Sequence, residues 1–119
     1  MLAVLRETQK KAVRGKIVDY PVSQIQVIDN HTFSISCRDP KNADTFKAIT
    51  TAYNKTAYFA FSKERHYDFL EKSPTEFILR GEDAQQVLRD FSETGLLSNT
   101  LLTQVLNTAN VKNLGCVIS

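Results

Sequence analysis

Residues 22–37 read VSQIQVIDNHTFSISC, and this stretch decides the fold that the sequence predicts. Ile25 and Val27 share one side of a strand over 22–28, while Phe33, Ile35 and Cys37 alternate with serines in a second strand. The four residues between them, DNHT, have the chemistry of a turn. The sequence therefore predicts a β-hairpin whose loop is slightly longer than the tightest type.

Helix and strand patterns alternate after this hairpin. Asp39 and Pro40 match a helix N-cap followed by proline in the first turn, and apolar residues recur at helical spacing through Tyr53. The order predicted beyond it is a strand over 56–61, a helix from Ser62 to about Leu70, a strand over 77–79, a helix over 84–91 ending at Gly95, and a helix from 98 or 99 to Ala109. Crossovers of this length usually join parallel strands. We predict an α/β (or α+β) fold with a small mixed sheet of four to five strands, a β-hairpin followed by βαβαβ alternation, and helices packed on the sheet.

The N-terminal segment carries an excess of positive charge. Residues 1–16 contain five basic residues and one acidic residue, in a chain whose net charge is +2. Apolar residues share one helical face over 2–14, and Arg6, Lys10 and Arg14 follow four apart on the neighbouring face. We predict a basic amphipathic helix over 1–15, and its candidate contacts to phosphate or nucleic acid are Arg6, Lys10, Lys11 and Arg14. It could instead lie on an anionic membrane or in a partner groove. The favoured alternative is a helix docked on the domain by Leu2, Leu5 and Val13, with its charges in water.

Length and composition favour one domain. The chain has 119 residues, of which 42% are hydrophobic and 24% charged, as in chains that bury a core. We expect a single domain over 1–119, with the α/β core at 16–110 and an edge strand or tail at 111–119. No apolar run is long enough to span a bilayer and no secretory signal is visible, so we expect a cytoplasmic protein.

One candidate site lies in the loops that follow the strands. Parallel strands would bring these loops to one edge of the sheet, where helix N-termini favour an anion. The cationic candidates there are Arg38, Lys63, Arg65, His66 and Arg80. The alternative is that capping residues and solvated charges collect at loop ends, and it is favoured because no glycine-rich phosphate loop follows any strand.

Catalytic and metal-binding motifs are not visible in the sequence. His31 and His66 lie in different loops without a partner at metal-ligand spacing, and Cys37 lies within a strand, where a buried structural thiol is expected. The carboxylate pairs Glu82-Asp83 and Glu64-Asp68 could bind a magnesium ion. Such pairs more often cap a helix or lie in water on its surface. We expect no cofactor and no enzymatic activity, and a small enzyme that uses the strand-end loops ranks last among the alternatives.

The final four residues, Cys116-Val117-Ile118-Ser119, resemble a prenylation box of the C-a-a-X type with a farnesyl-type serine. The resemblance covers four residues and implies lipidation of Cys116, with the membrane as partner only in that case. The alternative is an apolar edge strand. A single lipid anchors a protein to a membrane only weakly unless a second signal helps. Lys112 is the only basic residue near Cys116.

These observations favour a non-catalytic interaction or adaptor domain, either free-standing or part of a larger protein. A protein partner is expected, with the basic N-terminal helix and an exposed sheet edge as contact surfaces. The first alternative is a nucleic-acid-associated accessory domain that uses the basic helix. The second is a prenylated, membrane-directed effector.

Overall fold

The computed structural model describes residues 3–7, 11–13, 16–18, 20–61 and 66–118, and the side chains of 3–7, 20–53 and 66–110. The elements in chain order are β1 (Ala3–Arg6), β2 (Lys11–Val13), β3 (Lys16–Val18), β4 (Val22–Asp29), β5 (Thr32–Cys37), α1 (Pro40–Phe61), β6 (Asp68–Ser73), β7 (Glu76–Arg80), α2 (Ala84–Glu93) and α3 (Asn99–Ile118). The α/β class, the five-stranded sheet and the β-hairpin are confirmed.

The main sheet has the order β1-β4-β5-β7-β6, and β2 and β3 form a separate two-stranded ribbon. Every neighbouring pair is antiparallel, so the expected mixed sheet with parallel neighbours is wrong. The strands on either side of α1, β5 and β6, do run parallel to each other, but β7 lies between them. The chain thus has the crossover helix of a split βαβ unit, because the later β6–β7 hairpin inserts its second strand into the gap.

The hairpin of β4 and β5 has a shorter loop than the sequence predicts. Asp29 pairs with Thr32, which leaves Asn30 and His31 as a two-residue loop. A register shift between Val27 and Asp29 absorbs the additional residue, as a β-bulge does. The His31 N–H donates to Asp29 Oδ1 at 2.8 Å, so the aspartate closes the turn with its own side chain.

Helix α1 begins as predicted and ends much later. Asp39 Oδ1 accepts the Asn42 N–H at 2.8 Å and caps the helix before Pro40. The apolar stripe is confirmed, since Phe46 and Tyr53 are buried in the core. The predicted strand over 56–61 is wrong because the helix continues to Phe61. No glycine or proline follows Pro40 in this stretch, so nothing stops the helix once the stripe has nucleated it.

The predicted helix from Ser62 to Leu70 is also wrong. Ser62 lies outside the described residues, and 68–73 form β6, which pairs with β7. Phe69 points to the core side, where its ring stacks on Phe77 with centroids 5.5 Å apart, while Leu70 points away and is 48% exposed. Over so few residues the helical and strand periods are hard to distinguish, and pairing with β7 decides between them.

Both ends of the chain differ from the predictions. The basic helix over 1–15 is wrong, since Ala3–Arg6 and Lys11–Val13 are strands, and Leu5 of β1 pairs with Ile25 of β4. The edge strand or tail over 111–119 is wrong as far as residue 118, because α3 continues to Ile118. In both segments the local pattern is short, and the neighbouring sheet or the preceding helix determines the backbone.

One hydrophobic core lies between one face of the sheet and the helices. Phe46 of α1 is at its centre, with its ring centroid 4.9 Å from Phe77, 5.7 Å from Phe69 and 5.8 Å from Phe91 of α2. Leu101, Val105 and Ala109 of α3 belong to the same cluster. The helices therefore share one face of the sheet, which leaves the opposite face without a helix over it among the described residues.

Candidate interaction surface

The five cations predicted to meet at the strand ends do not form one site. Arg38 follows the end of β5, whereas Arg80 ends β7 opposite Thr32, at the start of β5. Six residues of extended chain separate these two ends of the sheet by about 20 Å. The prediction of a shared edge is wrong for this pair because it required parallel strands. Lys63 and Arg65 lie outside the described residues.

His66 and Arg80 do lie close together, but their contacts are structural. The His66 N–H donates to Asp83 Oδ2 at 2.7 Å, and its carbonyl accepts the Asp83 N–H at 3.0 Å. Arg80 Nε lies 3.7 Å from Asp68 Oδ2 in an exposed ion pair. These contacts tie the start of β6 to the turn before α2. Among the described residues no cluster of histidine, cysteine and carboxylate side chains is arranged for a metal ion.

Of the four basic N-terminal candidates, the two that the structure describes do not lie on a helix. Arg6 is exposed on β1, and its Nε donates to Gln24 Oε1 at 3.4 Å. Lys11 belongs to β2, with its side chain outside the described part, and Lys10 and Arg14 also fall outside it. The phosphate hypothesis depended on helical spacing, whereas Arg6 and Lys11 lie on strands.

The two cysteines lie in different elements of the fold. Cys37 is the last residue of β5, and its free thiol is buried as expected. Burial, with a smaller contribution from the charge of Asp39, raises its pKa to about 12. A thiol of this kind carries almost no thiolate near neutral pH and is a poor nucleophile. Cys116 lies within α3, and the structure describes only its backbone.

A buried polar cluster joins α1 to α2. The Tyr53 hydroxyl donates to Asp90 Oδ2 at 2.5 Å, and Gln86 Nε2 donates to Asp90 Oδ1 at 3.1 Å. Asp90 is only 1% exposed. Burial, followed by the nearby charge of Asp90, raises the pKa of Tyr67. This cluster is not among the predicted sites, although its sign in the sequence is an aspartate three residues after Val87, on the apolar face of α2.

Glu7 connects the N-terminal strand to α3. Its two carboxylate oxygens accept the Ser98 N–H and the Ser98 hydroxyl, each at 2.8 Å. Ser98 Oγ in turn accepts the Leu101 N–H at 3.0 Å and caps the helix. A carboxylate at this end of a helix also interacts favourably with the helix dipole. The contact spans ninety-one positions in sequence and fixes where β1 ends.

We call the sheet face opposite the helices the open face. Its central row crosses all five strands through cross-strand partners. In spatial order this row consists of Val4, Gln26, Ser34, Ile78 and Leu70, and it is exposed at its ends only, because Ser34 at its centre is 7% exposed. The two large apolar side chains at its ends, Val4 and Leu70, are each 48% exposed. The row contains no aromatic side chain, so it offers no stacking platform for nucleotide bases.

One end of the open face is the edge strand β6. Among the described residues, β6 pairs only with β7, so its outer side presents unpaired backbone groups. Asp68, Leu70 and Lys72 are exposed along it. The other edge strand, β1, has only four residues and packs close to α3. The longer edge, with its exposed leucine, is the better surface for another strand.

A cavity of about 180 Å³ lies between α1 and β6, on the core side of this edge. Phe69 and Phe77 contribute to its lining, and Lys47 Nζ lies 3.5 Å from Glu71 Oε1. The cavity is too small for most organic ligands. Its position shows that the helix layer does not close tightly over β6.

Comparison with known proteins gives no match to any protein-family model, curated protein or solved structure. Within the described residues, no helix has the length and apolar character needed to cross a membrane.

Proposed function

We propose that this chain is a non-catalytic interaction domain that binds a protein partner at the β6 edge, through addition of an extended segment to the sheet. The observation that carries the proposal is the exposure of Leu70 at the centre of an edge strand that pairs on one side only. An added strand would gain backbone hydrogen bonds, and Leu70 would gain an apolar neighbour.

The chemistry of the buried polar groups also supports a non-catalytic role. Cys37 has a raised pKa, and Asp90 accepts hydrogen bonds from Gln86 of its own helix and from Tyr53, which joins α1 to α2. Glu7 caps a helix. These groups serve the fold, so they do not require a reaction to explain them. The free thiol of Cys37 is also compatible with the cytoplasmic location expected from the sequence.

The test compares two lysine substitutions with matched exposure. Leu70→Lys places a charge on the β6 edge, and Val4→Lys places one at the opposite end of the same row. Bound proteins captured by the wild type and by both variants are quantified by mass spectrometry. We expect at least one partner protein that the wild type and Val4→Lys both capture and that Leu70→Lys does not.

The captured partner is then added to the wild-type chain, and amide hydrogen exchange is measured. Strand addition predicts slower exchange in β6, because its outer amides gain acceptors. Equal binding by both variants, or protection elsewhere with none in β6, would show that the edge is not the contact surface.

The two alternatives from the sequence remain predictions. A gel shift that weakens as salt rises would support phosphate contacts by Arg6 and its basic neighbours. Mass spectrometry of Cys116 after expression in a eukaryotic cell tests prenylation. No contact among the described residues favours either of them over the strand edge.

A further inference from the structure

The exposed residues of β6 have a charge order that is complementary to itself. Asp68 and Lys72 carry opposite charges and stand two residues before and two residues after Leu70. When two copies of such a strand run antiparallel with Leu70 opposite Leu70, each Asp68 faces the Lys72 of the other copy. Opposite charges at directly opposed positions stabilise a strand pair, whereas like charges destabilise it.

We propose that the partner at this edge is a second copy of the chain, paired antiparallel through β6 about a two-fold axis at Leu70. The inference rests on the proposed role of β6 as a contact surface and adds the identity of the occupant. In this register each even-numbered residue of one β6 strand faces an even-numbered residue of the other. The core faces of the two sheets therefore lie on the same side. The product is one continuous sheet of ten strands, twice the five of a single chain.

The contacts already present in the chain are compatible with this arrangement. Asp68 and its partner Arg80 form an exposed pair at 3.7 Å, which contributes little and leaves the carboxylate accessible. Lys72 forms no ion pair with another described residue, and its flexible stem lets the ammonium reach across a strand boundary. It lies where the β6–β7 register shifts, between Glu71 and Ser73, so the regular part of the strand ends there.

The same charges disfavour other registers of the self-pair, and they also disfavour strands of other proteins. A shift by two residues in the antiparallel pairing removes both Asp68–Lys72 contacts, and a strand without complementary charges leaves them unpaired. Charged edge residues commonly protect a sheet from unspecific strand addition. One short strand pair buries less than the roughly 1,200 Å² of a stable interface. The expected dimer is therefore weak and depends on concentration.

Charge exchange on β6 tests the proposal. The full-length wild type, Asp68→Lys, Lys72→Asp and the double variant are compared by sedimentation equilibrium up to about 500 µM, where interfaces of this size associate. Each single variant opposes like charges twice, and we expect its dimer dissociation constant to rise about tenfold or more. The double variant restores opposite charges and should recover dimerisation, which also shows that the substituted strand folds. Val4→Lys, at the other edge, should dimerise as the wild type does.

A wild type that stays monomeric throughout this range would overturn self-pairing. So would single variants that dimerise as well as the wild type, or a double variant that fails to recover although its circular dichroism is native. Failure of the proposed function is distinguishable from these outcomes, because a Leu70→Lys variant that keeps both self-association and every captured protein would show that β6 is not a contact surface at all.

Discussion

Replacement of Tyr53 by phenylalanine removes one hydroxyl from the interior and tests what holds α1 on α2. That hydroxyl donates at 2.5 Å to Asp90, which is 1% exposed and therefore cannot replace the lost donor easily with water. A hydrogen bond to a charged group is worth about 1.5–3 kcal/mol. Gln86 still donates to the other carboxylate oxygen, so we expect a loss near the middle of that range, about 2 kcal/mol.

The expected change in melting temperature follows from chain length. An unfolding entropy of about 2.1 cal/mol/K per residue gives about 0.25 kcal/mol/K for this chain, so a loss of 2 kcal/mol lowers Tm by about 8 °C. Urea unfolding monitored by circular dichroism gives the free energy directly. Tyr20→Phe is the control, because Tyr20 is half-buried and its hydroxyl makes no hydrogen bond to a described residue. If both variants lose less than about 0.5 kcal/mol, the account of Asp90 as dependent on Tyr53 is refuted.

Two further predictions concern stability. Because the pKa of Cys37 is about 12 in the folded chain and near 9 when unfolded, only the folded thiol keeps its proton between these values, and stability falls as pH rises. Measured by urea unfolding, the stability of wild type relative to Cys37→Ala should be constant from pH 6 to 8 and decline above about 9; a flat difference to pH 11 would contradict this. Gly81 has φ +135°, and a Cβ there would lie 2.7 Å from Tyr67 Cα, whereas Gly95 has φ +87° and open space around it. Gly95→Ala should cost about 1 kcal/mol and Gly81→Ala clearly more, as thermal unfolding would show, and equal losses would contradict the close approach to Tyr67.

Some elements were predictable because their sequence patterns are strong and local. The hairpin over 22–37 alternates with period two, and Asp39 before Pro40 marks a helix start. The stripe of α2 and the cap at Gly95 were equally clear. In each case the local preference and the tertiary environment favour the same structure.

The candidate site was only partly predictable. Local patterns indicate an exposed sheet edge as a contact surface, but they do not identify the strand that forms it. Leu70 fits a helical pattern as well as a strand pattern, so the alternation of charges around it is not visible before the strand is known. The proximity of Arg38 and Arg80 depends on strand direction, which local patterns do not specify.

The sequence by itself determined the α/β class, the hairpin, the start of α1 and the apolar stripes of α1 and α2 that face the core. Tertiary structure alone decided the strand order, the antiparallel pairing of β6 with β7 and the strand conformation of Ala3–Arg6. Periodicity reports which side of a segment is buried, and that information is local. Which strand lies beside which depends on contacts between distant residues, such as Glu7 with Ser98 and Tyr53 with Asp90, whose energies exist only after the chain has folded.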